Sequence, residues 1–157
     1  MKKLSNFIYF GITLLFFSFV DFYFSNLISQ KLAHGWHSVG PIFKIVYVEN
    51  TGAAFSIMQN STTFLIILSV LALVGIVFFV IKNIVYLYMR DLLFVSFLTS
   101  GILGNLYERA FLGYVRDFFD LTFINFPIFN ISDIFINIGV LGIIVLLLAT
   151  KKQIKLL

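Results

Sequence analysis

The sequence predicts an all-α membrane protein: four transmembrane helices with a small extracytoplasmic β-sheet cradle. Three observations carry that prediction. First, 61% of the 157 residues are hydrophobic and only 11% are charged, with a mean hydropathy of +1.04. Soluble domains run near half apolar and a quarter charged. Second, the apolar residues fall into four long runs, at 7–27, 62–81, 92–108 and 131–149. Each run approaches or exceeds the roughly 20 residues that cross about 30 Å of hydrocarbon. Third, two long polar-containing connections separate the runs in pairs. The length suits one integral-membrane domain over 1–157. With no cysteine, disulfides, thiolate metal sites and a cysteine nucleophile are excluded. The net charge of +4 is spread too thinly for a nucleic-acid surface and reads as a topology signal.

The first run follows Lys2 and Lys3 and has no small-x-small cleavage site, since Asp21-Phe-Tyr-Phe comes where one would lie. It reads as an uncleaved transmembrane helix. Ser18, Asp21 and Ser25 share one of its faces. Asp21 is either a helix-end residue at the interface or a prop for a polar site.

The connection 29–60 contains Phe43-Lys-Ile-Val-Tyr-Val-Glu49, alternating and β-branched, which reads as a strand. Asn50-Thr-Gly52 then turns the chain, and Ala54–Ile57 reads as a second strand. His34 and His37 lack a nearby third ligand and read as interfacial residues, and Trp36 suits an interfacial belt.

The second run is almost uniformly apolar. The third is not, since Gly101, Asn105, Glu108 and Arg109 line one face and turn it toward the bundle. Between the third and fourth runs, Gly113-Tyr-Val-Arg-Asp117 reads as extended chain. The fourth run opens with Asn130, Asp133 and Asn137 at i, i+3 and i+7, a polar stripe entering the membrane. Lys2, Lys3, Lys82, Arg90, Lys151, Lys152 and Lys155 fall on one side; Lys31, Lys44, Arg109 and Arg116 fall on the other. This asymmetry places both termini in the cytoplasm and the polar cluster outside.

Asp117 reads in two ways, as a surface partner for Arg109 or Arg116 and as half of a carboxyl pair with Asp133. Asp133 likewise reads as a helix cap or as the other half. Two carboxyls a few Å apart cannot both ionise easily, so one holds a proton while the other stays charged. That pair can activate water and protonate a carbonyl without metal, thiol or serine. Asp120 competes with Asp117 for the role. A small transporter or proton-coupled channel is the alternative reading, with Asp133 and Asn137 lining its path.

Four motifs sharpen this. Val48-Glu-Asn50-Thr-Gly52-Ala-Ala-Phe55 resembles the N-x-G-A-A-F motif of the bacterial lipoprotein signal peptidases, type II. Gly101-Ile-Leu-Gly104-Asn105-Leu-Tyr-Glu108-Arg109 resembles their G-x-x-G-N-x-x-D-R motif. Gly113-Tyr-Val-Arg-Asp117-Phe118 and Phe129-Asn130-Ile-Ser-Asp133 resemble G-x-V-x-D-F and F-N-x-A/S-D, in the same order. The resemblance implies a monomeric aspartyl endopeptidase of the bacterial inner membrane that needs no metal or cofactor. Its partners would be membrane lipids, globomycin-type inhibitors and diacylglyceryl-modified prolipoproteins, cut before the lipidated cysteine. It implies Asp117 and Asp133 as the catalytic dyad. Asn50, Gly52, Asn105, Arg109 and Asn130 would line or support the site, with Gly104 permitting close backbone approach; the polar stripe adds Asn137. Three positions depart from the pattern: Ser25 stands where the family has Lys, Glu108 where it has Asp, and Ser100 where it has Gly.

Overall fold

A computed structural model describes residues 2–34, 38–40, 42–52 and 59–154. The chain runs α1 (Lys2–Ala33), β1 (Ser38–Val39), β2 (Phe43–Asn50), α2 (Thr62–Asn83), α3 (Met89–Leu112), β3 (Val115–Leu121) and α4 (Ile131–Ile154). The strand expected at 54–57 lies outside the described residues, as do Trp36 and His37.

All four helices exceed their expected bounds. α1 has 32 residues rather than the predicted run of 7–27, which makes it about 48 Å long. Asp21, expected near a helix end, therefore lies well inside α1 and is buried. α3 begins three residues before the expected Leu92 and ends at Leu112 rather than 108. Apolar runs mark the lipid-facing length of a helix, and its polar ends continue beyond them. By length and apolarity, α1, α2 and α4 qualify as membrane spans. α3 is as long as α4, at 24 residues, but too polar to qualify. It spends its polar residues on its neighbours rather than on lipid.

α3 is the hub, packing on α1, α2, α4 and β3. Ser96 of α3 meets Thr13 of α1 at 2.7 Å, and Phe97 stacks on Phe17 with ring centroids 3.9 Å apart. A side chain added at Gly104 would run into the Asp21 carboxylate and the Ser132 hydroxyl, so only glycine lets α1, α3 and α4 converge there. At the other end, Val80, Ile84, Leu92 and Val95 form a buried cluster. There Asn6 Nδ2 donates to the carbonyls of Ile84 at 2.7 Å and Leu87 at 3.0 Å, satisfying the end of α2.

Gly113, at φ +88°, caps α3 in the left-handed conformation and turns the chain into β3. The sheet order is β1-β2-β3, antiparallel throughout. A register shift between Ile45 and Val48 sets Val48 opposite Asp117 and Asn50 opposite Val115. The connection to α4 then doubles back on β3. Phe118 and Phe119 both donate to the Phe129 carbonyl, at 3.0 and 2.9 Å, and Phe129 donates back to Phe119 at 3.2 Å. This bridge delivers the start of α4 to the strand that carries Asp117.

Candidate active site

The last turns of α3 assemble the site. Asn105, Glu108 and Arg109 are spaced i, i+3 and i+4, and each reaches a different element. Asn105 Nδ2 donates to Asp133 Oδ1 at 2.9 Å, while its Oδ1 accepts from Asn130 Nδ2 at 3.0 Å. Arg109 Nη2 donates to the Gly52 carbonyl at 2.9 Å. Glu108 turns to Arg116 of β3.

Asp133 is held from two sides. Its Oδ2 accepts from the Asn130 backbone N–H at 3.2 Å, and the Asp133 N–H donates to Asn130 Oδ1 at 2.8 Å. This is a reciprocal cap on α4. The capping reading of Asp133 is therefore correct, and the same carboxyl also opens on a cavity. Asp117 pairs with neither Arg109 nor Arg116 through hydrogen bonds. Its Oδ2 accepts from Asn50 Nδ2 at 2.9 Å, and Asn50 is locked by accepting the Gly52 N–H at 2.9 Å. That last bond is an Asx turn, which explains a Gly two residues after the Asn. The other Asp117 oxygen, Oδ1, is buried with no partner among the described residues. Burial pushes the Asp117 carboxyl up to about 7, with the Asp133 charge adding to the rise; Asn50 and Arg109 oppose it.

Asp117 and Asp133 line one cavity of about 550 Å³ with Asn50, Asn105, Arg109 and Asn137. Its far wall is apolar and runs along α4 through Ile134 and Ile138 to Leu141. Gly52 reaches the Asp117 carboxyl through Asn50, Asn130 bonds Asp133 directly, and Gly104 stands behind α4's first turn. Asn137 is exposed and donates to the Asp133 backbone carbonyl at 2.9 Å rather than to its carboxyl. Asp120 does not join the group. It lies three residues from Asp117 on β3, opposite Lys44, and strand alternation turns it to the other face.

Sequence reasoning missed the roles of Ser132, Asn26 and Ser29, and it offered Arg116 only as a surface partner of Asp117. Ser132 Oγ donates to Asp21 Oδ2 at 2.5 Å and ties α1 to the residue beside Asp133, so Asp21 is a prop rather than an interfacial end. Ser18, Asp21, Ser25 and Ser29 form one stripe on α1, and extending it by a turn past Ser25 would have flagged Ser29.

Membrane-length helices, a three-stranded cradle and a mostly apolar cavity with polar groups at one end define an integral membrane protein. Residues 12–149 match the family described as Signal peptidase (SPase) II. The lipoprotein signal peptidase of Streptococcus thermophilus is 41% identical over 109 residues, 68% of this chain and 69% of the relative. That of Clostridium novyi is 40% identical over 114 residues, 70% and 76% of the two chains. That of Latilactobacillus sakei is 34% identical over 139 residues, 80% and 90%. A bacterial membrane enzyme solved by the in meso method at 2.3 Å is 32% identical, with a TM-score of 0.82 over 92% of this chain and 90% of its own. A second, solved at 1.9 Å, is 33% identical with a TM-score of 0.76 over 88% and 92%. The chain belongs to the signal peptidase II family and is a membrane peptidase.

Proposed function

We propose that the chain removes signal peptides from diacylglyceryl-modified prolipoproteins, cutting before the lipidated cysteine, as an aspartyl endopeptidase with Asp117 and Asp133 as its dyad. The observation that carries this reading is that both carboxyls open on one cavity whose opposite wall is apolar and follows α4 into the membrane. A signal peptide is apolar and the peptide bond after it is polar, so the two halves match the two chemistries of the wall.

Asp117 bears the proton in this reading, because its carboxyl is raised to about 7 and its Oδ1 has no protein partner among the described residues. Asp133, fixed by Asn105 and Asn130, is the base. Water loses a proton to Asp133 as its oxygen bonds to the scissile carbonyl carbon. The Asp117 proton passes to the carbonyl oxygen. One gem-diol hydroxyl returns its proton to Asp117 as its C=O re-forms, the C–N bond breaks, and the leaving nitrogen takes the proton from Asp133. Arg109 keeps the Asn50–Gly52 corner in place, and through it the Asp117 carboxyl.

The full reading has one peptidase domain over 1–157, a monomer in the bacterial inner membrane with both termini cytoplasmic and the cavity outside. Globomycin-type antibiotics would occupy the cavity. A transport path is not favoured, since α4 has no polar side chain between Asn137 and Ala149.

The test is cleavage of a lipid-modified prolipoprotein by purified protein in lipid. Asp117→Asn and Asp133→Asn, each verified as folded, are expected to lose about 10²–10⁴-fold or more in rate. Full activity in a folded Asp117→Asn variant would remove Asp117 from the dyad.

A further inference from the structure

Behind the strand that carries Asp117 sits a second polar cluster that the dyad chemistry does not use. Arg116 and Glu108 are nearly buried, with side chains 10% and 9% exposed. Glu108 Oε1 accepts from Arg116 Nη2 at 2.6 Å and Nε at 2.9 Å, and Glu108 Oε2 accepts from the Arg116 backbone N–H at 2.7 Å. The remaining arm of the guanidinium, Nη1, donates to Asn26 Oδ1 and Ser29 Oγ, both at 3.1 Å. One side chain therefore joins β3 to α3 and to the outer turns of α1.

We infer that Arg116 and Glu108 are positioning residues for Asp117: a buried clamp that pins the strand to α1 and α3 and so sets where the Asp117 carboxyl stands. The inference rests on the aspartyl reading above. Neighbouring strand residues point to opposite faces, so a guanidinium fixed on the bundle side aims the next side chain at the cavity. The bond from Glu108 to the Arg116 backbone N–H adds a hold on the main chain itself, one residue before Asp117. Arg serves here as Lys cannot, since the planar fork gives two bonds to one carboxylate and leaves a third arm for α1.

A clamp of this kind is a poor way to add stability. Desolvating two charges consumes much of what their attraction returns, and apolar replacements are often neutral. Its value lies in geometry. Moving a catalytic group by about 1 Å can cost on the order of 10²-fold in rate.

The experiment uses the full chain in detergent or lipid with a lipid-modified prolipoprotein substrate. The double variant Glu108→Gln/Arg116→Met keeps a neutral acceptor for the backbone N–H and an apolar side chain of similar length. It is expected to retain thermal unfolding close to wild type, to lose about 10–10²-fold in kcat, and to keep KM within about threefold. Arg116→Lys is expected to fall between the double variant and wild type. Hydrogen exchange by mass spectrometry over 115–121 is expected to quicken in the double variant whether or not the chain cleaves. Unchanged kcat in the folded double variant overturns the inference, and so does unchanged exchange over β3. A wild type that does not cleave overturns the proposed function instead, and exchange alone then decides whether the clamp pins the strand.

Discussion

α2 and α3 lie side by side and differ in length by two residues, 22 against 24, yet they do opposite work. α2 is the most apolar helix, and only its Leu65 and Val80 are buried. α3 buries Leu92, Val95, Ser96, Thr99, Ser100, Gly101, Asn105 and Glu108. In water the more apolar helix would be the core. In a bilayer the lipid is as apolar as leucine, so close packing and polar bonds decide what goes inside. Hydrophobicity on α2 marks a lipid-facing surface; small and polar residues on α3 mark the interior and the site.

The largest test of that contrast uses one residue type on both helices. Gly104→Leu on α3 must displace the Asp21 carboxylate and the Ser132 hydroxyl, while a Cβ added at Gly75 on α2 meets nothing within 4 Å. Gly104→Leu is expected to lower stability by about 1–3 kcal/mol or more. Gly75→Leu is expected to be neutral or slightly stabilising, since glycine is a poor helix former. Thermal unfolding in detergent separates them, and equal losses would break the contrast.

Asn105→Ala comes next. It leaves Asp133 Oδ1 and Asn130 Nδ2 without their partner, at a cost of about 1–3 kcal/mol with a fall in cleavage rate. A denaturant titration beside a rate measurement checks both effects.

The pH dependence is subtler. Asp117 is raised from its ordinary 3.8 to about 7, so the folded chain binds more protons there than the unfolded one between those values. Stability from this group is expected to fall as pH rises from about 4 to about 7, and Asp117→Asn should flatten that slope. If Asp117 must be protonated, cleavage falls as pH rises through about 7. Asn50 favours the charged form by donating to it, so Asn50→Ala should move that alkaline limb to higher pH. A pH–rate profile showing a downward move would reverse the roles of the two carboxyls. Smallest of all is Leu71→Val on α2. Leu71 is 63% exposed, and its loss should stay within about 0.5 kcal/mol by the same unfolding measurement.

Much of this was legible from residue order. The helix count, a strand over Phe43–Glu49, which the fold extends to Asn50, and the extended segment around Asp117 follow from runs and alternation. The i, i+3, i+4 set on α3 already placed Asn105, Glu108 and Arg109 on an inward face. Their division of labour was not legible. Glu108 and Arg109 are neighbours in the chain, yet one holds Arg116 and the other the Gly52 carbonyl. Asp117 and Arg116 are also neighbours and face opposite ways. The departures at Ser25 and Glu108 are gaps in the sequence pattern, while in the fold Ser25 lies beside Asp21 at 3.5 Å and Glu108 holds Arg116.

The chain by itself determined what meets lipid and where charge gathers, because both depend on local composition and on periods of 3.6 and 2. The tertiary structure alone decided which carboxyl meets which amide. Those choices depend on the register of β2 against β3, on the Phe129 bridge and on the close approach at Gly104, and each joins residues far apart in sequence. A one-residue slip in that register would turn Asp117 away from the cavity without changing the hydrophobic pattern of any helix.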